Sequence, residues 1–277
     1  MPIVLVTGAA RGIGRATTLR LAESGWDVYA GVRRPEDGEE LRSISARITP
    51  VILDVANADH VAALPGLIPQ LDALVNNAGI AVLGPLEGVP IKDVRRQLEV
   101  NVIGQIAVTQ ALLPRLRSSS GRIVFTSSLS GRVATPLSGA YNASKFGLEA
   151  SADALRMELT PWRIKVSLIE PAQVATDLWH NAEADLDDAE HAMPLGAQEL
   201  YRDHFAGFRK TIPLSQKLAA PPENVARAIE KALTARRPRA RYVVGVGPKV
   251  QVAMSGLSPT PVRDALFRKV TGVPRTR

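Results

Sequence analysis

The stretch Ile3-Val4-Leu5-Val6-Thr7-Gly8-Ala9-Ala10-Arg11-Gly12-Ile13-Gly14 decides the fold. It opens with an apolar run of strand length, and from Ile13 to Ser24 the pattern is helical. Gly8 permits a sharp turn between the two. Gly12 lets backbone approach a phosphate group closely, and Gly14 lets helix and strand pack tightly. The helix start at Gly12, Ile13 and Gly14 presents unpaired N–H groups and a partial positive charge, which suits a pyrophosphate. A tight strand-to-helix turn without a ligand is the bland alternative; the strand before and the helix after favour the binding reading.

Outward from this turn, apolar runs alternate with amphipathic stretches, the pattern of a parallel sheet covered on both faces. Strands are predicted at Ile3–Val6, Asp27–Gly31, Thr49–Leu53, Ala73–Val75, Arg122–Thr126, Lys165–Ile169 and Arg241–Val244. Helices are predicted at Ile13–Ser24, Glu36–Arg42, Ala58–Leu64, Pro90–Arg117, Ala140–Thr160 and Pro222–Ala235. This is an α/β, doubly wound, seven-stranded parallel sheet spanning residues 1–245 as a single domain. The 277 residues, 45% hydrophobic, suffice for one such core. The segment 174–214 lacks clean periodicity yet holds four of the twelve aromatics, Trp179, Tyr201, Phe205 and Phe208. A connection this long and this apolar reads as a substrate lid.

There is no cysteine, which excludes disulfides and thiolate chemistry and fits a reducing cytosol. The N-terminus reads as a strand rather than a signal peptide, and no stretch approaches a membrane span. A cytoplasmic, soluble protein is expected. The net charge of +7 is uneven: from Arg236 onward ten basic residues face only Asp264, so the first 235 residues sum to −2. The basicity belongs to a C-terminal extension, residues 246–277 together with the strand before it, and gives no ground for nucleic-acid binding by the body. Within it Val262, Leu266, Phe267 and Val270 form an apolar stripe beside Arg263, Arg268 and Lys269. That stripe either touches a membrane surface or packs on the body or a neighbouring subunit.

Which dinucleotide the glycine turn accepts depends on the end of the second strand. NAD enzymes place a carboxylate there, whereas NADP enzymes place arginine for the 2′-phosphate. Here no acid ends the strand and Arg33-Arg34 follow, with Arg11 in the glycine turn. NADP(H) is favoured and NAD(H) stays open, since Arg33 and Arg34 can also be solvated loop charges. Asp54, after the third strand, either accepts a hydrogen bond from an adenine amino group or caps the next helix.

Tyr141 and Lys145, four apart near the start of a helix, share one face. A phenol titrates near pH 10, so acting at neutral pH needs roughly three units, about 4 kcal/mol. One ammonium about 4 Å away supplies about that much at an effective dielectric near 20. Ser128, just past a strand, is a loop serine by itself. With Tyr141 thirteen residues on, its hydroxyl can donate to a developing oxyanion.

The set Thr7–Gly14, Asn76-Asn77-Ala78-Gly79, Asn101, Ser128, Tyr141 and Lys145 resembles the short-chain dehydrogenase/reductase family, in order from residue 3 to about 235. More loosely, Gly31–Gly38 and the long lid resemble its retinol and hydroxysteroid dehydrogenase branch. The resemblance implies a Rossmann-type sheet of order 3-2-1-4-5-6-7 and an Asn101-Ser128-Tyr141-Lys145 catalytic tetrad. It also implies a homodimer or homotetramer paired through helices around 90–117 and 140–160. Asn101 would hold a water linking Lys145 to solvent, and Asn77, Ala78 and Gly79 would line the cofactor site. Pro171, Val174 and Thr176 would flank the nicotinamide. Ala172 stands where the family has glycine, which costs about 1 kcal/mol if that position needs positive φ. The expected substrate is an apolar, medium-sized alcohol or carbonyl compound near Val133, Leu137 and Trp179. No metal is expected: His60, His180, His191 and His204 lack zinc spacing, and the acidic run Asp185–Glu190 reads as a solvated segment.

Overall fold

The strands of the computed structural model are mostly apolar, and the central ones alternate their side chains between two buried faces. It describes residues 1–245 and 258–273, the side chains of Leu178 and Trp179 excepted. Strands β1 (Ile3–Thr7), β2 (Asp27–Val32), β3 (Ile48–Ile52), β4 (Ala73–Asn76), β5 (Arg122–Thr126), β6 (Lys165–Pro171) and β7 (Arg241–Val244) pair in parallel, in the order β3-β2-β1-β4-β5-β6-β7. Val4 and Val6 of β1 face one core with Val28, Ala30 and Val124, while Leu5 faces the other with Leu74 and Phe125. Burial on both sides is why these strands read as continuous hydrophobic runs.

Helices α1 (Gly12–Glu23), α2 (Pro35–Ile44) and α10 (Pro222–Thr234) close the first face through Leu21, Leu41, Val225 and Ile229. On the second face lie α3 (Ala58–Leu67), α5 (Gly104–Ser119) and α6 (Gly139–Glu158), with Leu64, Leu112 and Leu148 in the core. The strand order reverses between β1 and β4, and a crevice opens there at the C-terminal ends of the strands, where such folds bind ligands.

Two predicted elements differ from the structure. The single helix expected over Pro90–Arg117 is interrupted: α4 (Ile91–Leu98) passes through a π-helical turn, Glu99–Ile103, before α5 begins. The wider turn leaves its backbone in one rod while reorienting Asn101, a common device at functional sites. The segment 174–214 is helical, forming α7 (Asp177–His180), α8 (Ala182–His191) and α9 (Leu195–Lys217). Leu186, Met193, Phe205 and Ile212 of these helices make a third core with Leu137 and Ala182. Pro194 precedes α9 and Pro213 lies inside it, which broke the pattern on which a helix reading depends.

Of the C-terminal extension, Thr260–Thr271 forms helix α11, ended by Gly272 at φ +70°. It seats on α9 so closely that a Cβ on Gly207 would lie 2.3 Å from the Thr271 carbonyl oxygen. Phe267 is half-buried, whereas Val262, Leu266 and Val270 are exposed, so the apolar stripe is split between packing and solvent. Residues 246–257 and 274–277 of that extension lie outside the described residues. No described helix is long and apolar enough to cross a membrane.

Candidate active site

At the cofactor end, glycine does what the sequence indicated, with partners it did not reveal. Gly8 has φ +65°, and a Cβ there would meet Ala78 Cα at 2.9 Å. Gly12 has φ +53° and faces Thr176, whose Cγ2 would be 2.9 Å from an added Cβ. Gly14 packs on the turn itself: its Cβ would fall 2.0 Å from the Gly8 carbonyl oxygen. The Gly12 contact brings Pro171–Thr176 against the glycine turn. A cavity of about 240 Å³ opens beside them, lined by Gly12, Arg15, Thr176, His180 and Glu223. The N–H groups of the first turn of α1 and this close-approach backbone fit a dinucleotide pyrophosphate.

Asn77 fastens the two halves of the crevice. Its amide donates to the Thr7 carbonyl at 3.1 Å, and its backbone N–H donates to Thr7 Oγ1 at 2.9 Å. Ala78 N–H shares that hydroxyl at 3.0 Å, and Gln105 Nε2 holds the Ala78 carbonyl at 2.7 Å. Gly79 lies beside Asn101. Val174 is buried, pairing its strand-like turn with Ala220, and Pro171 closes β6. Ala172 has φ outside the left-handed region, so the alanine carries none of the strain its position suggested. The Asp54 alternatives narrow too: Asn57 caps α3 by accepting from Asp59 N–H and His60 N–H, while Asp54 accepts from Ala56 N–H at 3.0 Å.

At the end of β2 the arginines gather round Asp37. Arg34 bridges it at 2.6 Å, and with Arg11 and Arg33 nearby this holds its carboxyl below the usual range. Arg11 bridges Asp177 at 3.0 Å, and among the described residues no acid bridges Arg33.

The chemical end lies across the crevice. Tyr141 and Lys145 occupy the first two turns of α6, entered through Leu137 at φ +58°. Burial raises the pKa of the Tyr141 phenol, and the nearby Ser128 hydroxyl opposes the rise. Lys145 departs from expectation. Its Nζ lies 5.7 Å from the centroid of the tyrosine ring and donates to the Thr126 carbonyl at 2.8 Å. Burial lowers its pKa to about 8, with Glu149 opposing the fall. The phenol is therefore held protonated, ready to donate, and the ammonium does not by itself bring it to neutrality.

Asn101 is wholly buried. Its Oδ1 accepts from Ile80 N–H at 2.9 Å, and its Nδ2 donates to the Ile80 carbonyl at 2.9 Å and to Ser144 Oγ at 3.1 Å. Ser144 in turn donates to the Tyr141 carbonyl at 2.7 Å. Gln97, absent from the sequence reading, doubles this arrangement by holding Ile80 and Val82 at 2.9 and 2.7 Å. Its helical spacing of four from Asn101 was the signal available. Val133 and Leu137 are buried as expected near Ser128, whereas the side chain of Trp179 lies outside the described residues.

A glycine-cradled crevice facing a serine-tyrosine-lysine cluster defines a dinucleotide-dependent oxidoreductase on a Rossmann-type sheet. Residues 2–187 match the short chain dehydrogenase family model. The chain belongs to that family and is an NAD(P)-dependent enzyme of it. Mouse retinol dehydrogenase 5 is 34% identical over 95% of this chain and 87% of its own length. An NADPH-dependent 3-dehydrocapnine reductase of Ornithobacterium rhinotracheale is 32% identical over 97% of both chains. Among solved structures, a short chain dehydrogenase of Burkholderia cenocepacia in complex with NADP superposes with TM-score 0.76, 25% identity and 97% of both chains covered.

Proposed function

We propose that this enzyme interconverts an apolar alcohol and its aldehyde or ketone, with NADP(H) as the preferred cofactor. The observation that carries the reaction is the Tyr141 phenol with the Ser128 hydroxyl near it and the Lys145 Nζ 5.7 Å from its ring centroid. When bound, the nicotinamide cofactor supplies or accepts the hydride. Ser128 and Tyr141 polarise the carbonyl oxygen, and the Tyr141 phenol gives it a proton. Lys145 and the buried Asn101 provide the route by which that proton is replaced. Gly8, Gly12, Ile13 and Gly14 would hold the pyrophosphate, with Asn77, Ala78, Gly79, Pro171, Val174 and Thr176 lining the rest and Asp54 near the adenine.

The 2′-phosphate preference rests on Arg33, which no acid among the described residues bridges, flanked by Arg11 and Arg34. The NADP-bound Burkholderia structure and the NADPH-dependent reductase agree with it. An apolar substrate is supported by the core that α8 and α9 form with Leu137, which makes residues 174–214 a lid, and by the likeness to retinol dehydrogenase 5. Homo-oligomers would pair through the π-helical turn and α6, where Ile103, Phe146 and Met157 are exposed. The cysteine-free chain suits the cytosol.

Tyr141→Phe tests the assignment. Turnover with a panel of ketones, aldehydes and retinal should fall by about 10²–10⁴-fold, while NADPH binding, followed by its fluorescence, stays within about twofold. Retained turnover in that variant would remove Tyr141 from the chemistry.

A further inference from the structure

One turn beyond Lys145, α6 carries Glu149, and the end of β6 carries Glu170. Their side chains are 7% and 0% exposed. Arg241 of β7 reaches both, with Nη2 3.0 Å from Glu149 Oε2 and Nε 3.1 Å from Glu170 Oε1. Arg132, from the loop after β5, adds a contact of 3.3 Å to Glu170 Oε1. Arg241 also holds Asp153 at 2.6 Å, which Arg156 bridges in turn. With Lys145, these are the charged groups facing the pair.

Each glutamate spends one oxygen on the arginines. The other two, Glu149 Oε1 and Glu170 Oε2, are buried with no hydrogen-bond partner, as is Ser127 Oγ. A Cβ on Gly131 would lie 2.9 Å from Glu149 Cγ and 3.0 Å from Ser127 Oγ, so serine and carboxylate converge on one spot. Two adjacent buried carboxylates cannot both ionise cheaply; one takes a proton. Burial, and then Glu149, pushes Glu170 upward, against the pull of Arg132 and Arg241. A proton shared by the pair would also give an orphan oxygen a hydrogen to hold.

We propose that Glu149 and Glu170, clamped by Arg241, share one buried proton, and that the negative charge left on the pair, one turn along α6 from Lys145, keeps that buried lysine an ammonium. Glu149, on the lysine's own helix, is then a positioning residue that acts through Lys145, and the shared proton makes a second buried carboxyl tolerable. This rests on the reading of Tyr141 and Lys145 given above. Without the anion, burial lowers the lysine further, so its charge is lost at a lower pH.

The direct readout is a 13C NMR titration of lysine Cε and glutamate carboxyl carbons in the full-length protein. In wild type, Lys145 should titrate near 8 and the Glu170 carboxyl should titrate above the ordinary glutamate range. Glu149→Gln should move the Lys145 midpoint down by about one unit, and the alkaline limb of the reductive pH profile with it. At pH 8.5 its rate falls roughly tenfold, while at pH 6.5 it stays within about twofold. Glu170→Gln, an amide in place of a neutral acid, should leave both midpoints within about 0.3 unit. Should Glu149→Gln not fold, Glu149→Asp should move the same midpoint the same way by less. An unmoved Lys145 midpoint in the Glu149 variant overturns the proposal. So does an equal shift in both glutamine variants, or a rate loss that is the same at every pH. Turnover that survives Tyr141→Phe sinks the tetrad reading instead, and the NMR midpoints still decide this one.

Discussion

The dinucleotide crevice and the proposed lid of α8 and α9 are built on opposite terms. In the crevice, positions are fixed by backbone: glycines too close for any Cβ, and Thr7, Asn77 and Gln105 bonded to main-chain atoms. In the lid, α8 and α9 are held by side chains meeting in a small core around Phe205 and Leu137. Leu195, Leu214 and Leu218 of α9 remain exposed. A crevice made of backbone suits a cofactor shared by many enzymes. A lid made of side chains can be recut for a new substrate without disturbing it.

This contrast can be broken by variants that touch one half only. The largest effect should come from Phe205→Ala, which removes a fully buried ring of the lid core. It should cost about 3–5 kcal/mol locally, raising KM for substrate severalfold while the NADPH Kd stays put. Hydrogen exchange confined to α8 and α9 would locate the loss, and an equal loss of NADPH affinity would erase the division. Gly14→Ala is the converse. Its Cβ would meet the Gly8 carbonyl at 2.0 Å, so the turn must shift, at about 1–3 kcal/mol. Calorimetry should register this as weaker NADPH binding, with the lid's exchange unaltered. Replacing Arg33 and Arg34 together by Ala should weaken NADPH by about tenfold, near 1.4 kcal/mol for lost charge-assisted contacts. NADH affinity should not change, and a loss common to both cofactors would put the arginines elsewhere. Smallest is Leu218→Gln on the exposed side of α9, expected within about 0.5 kcal/mol in thermal denaturation. A larger cost would mean that this side is covered.

The same division explains what could be read from the sequence. The crevice was legible because its devices are local: a glycine with no room for a side chain, or an asparagine at a strand end, leaves a mark at one position. All seven strands could be placed, the central ones because burial on both faces gives them near-continuous apolar runs. The helices of the segment 174–214 were not legible, because Pro194 and Pro213 interrupt a periodicity that packing on Leu137 nevertheless sustains. The π-helical turn at Asn101 is invisible to a search for 3.6-residue spacing, since one extra residue looks like noise. Ala172 was read as a source of strain from a glycine-based pattern; its φ shows that the turn needs no left-handed residue. Lys145 was placed on the correct face, but the carbonyl of Thr126 that accepts its hydrogen bond comes from a strand nineteen residues earlier.

The close meeting of Gly207 with Thr271 and Gly272 has a practical bearing on how this polypeptide is handled. The chain comes back, after the last strand, to press on α9, a helix of the proposed lid. Changes within α11 are therefore expected to reach that lid, although the sequence puts the helix more than a hundred residues from Tyr141.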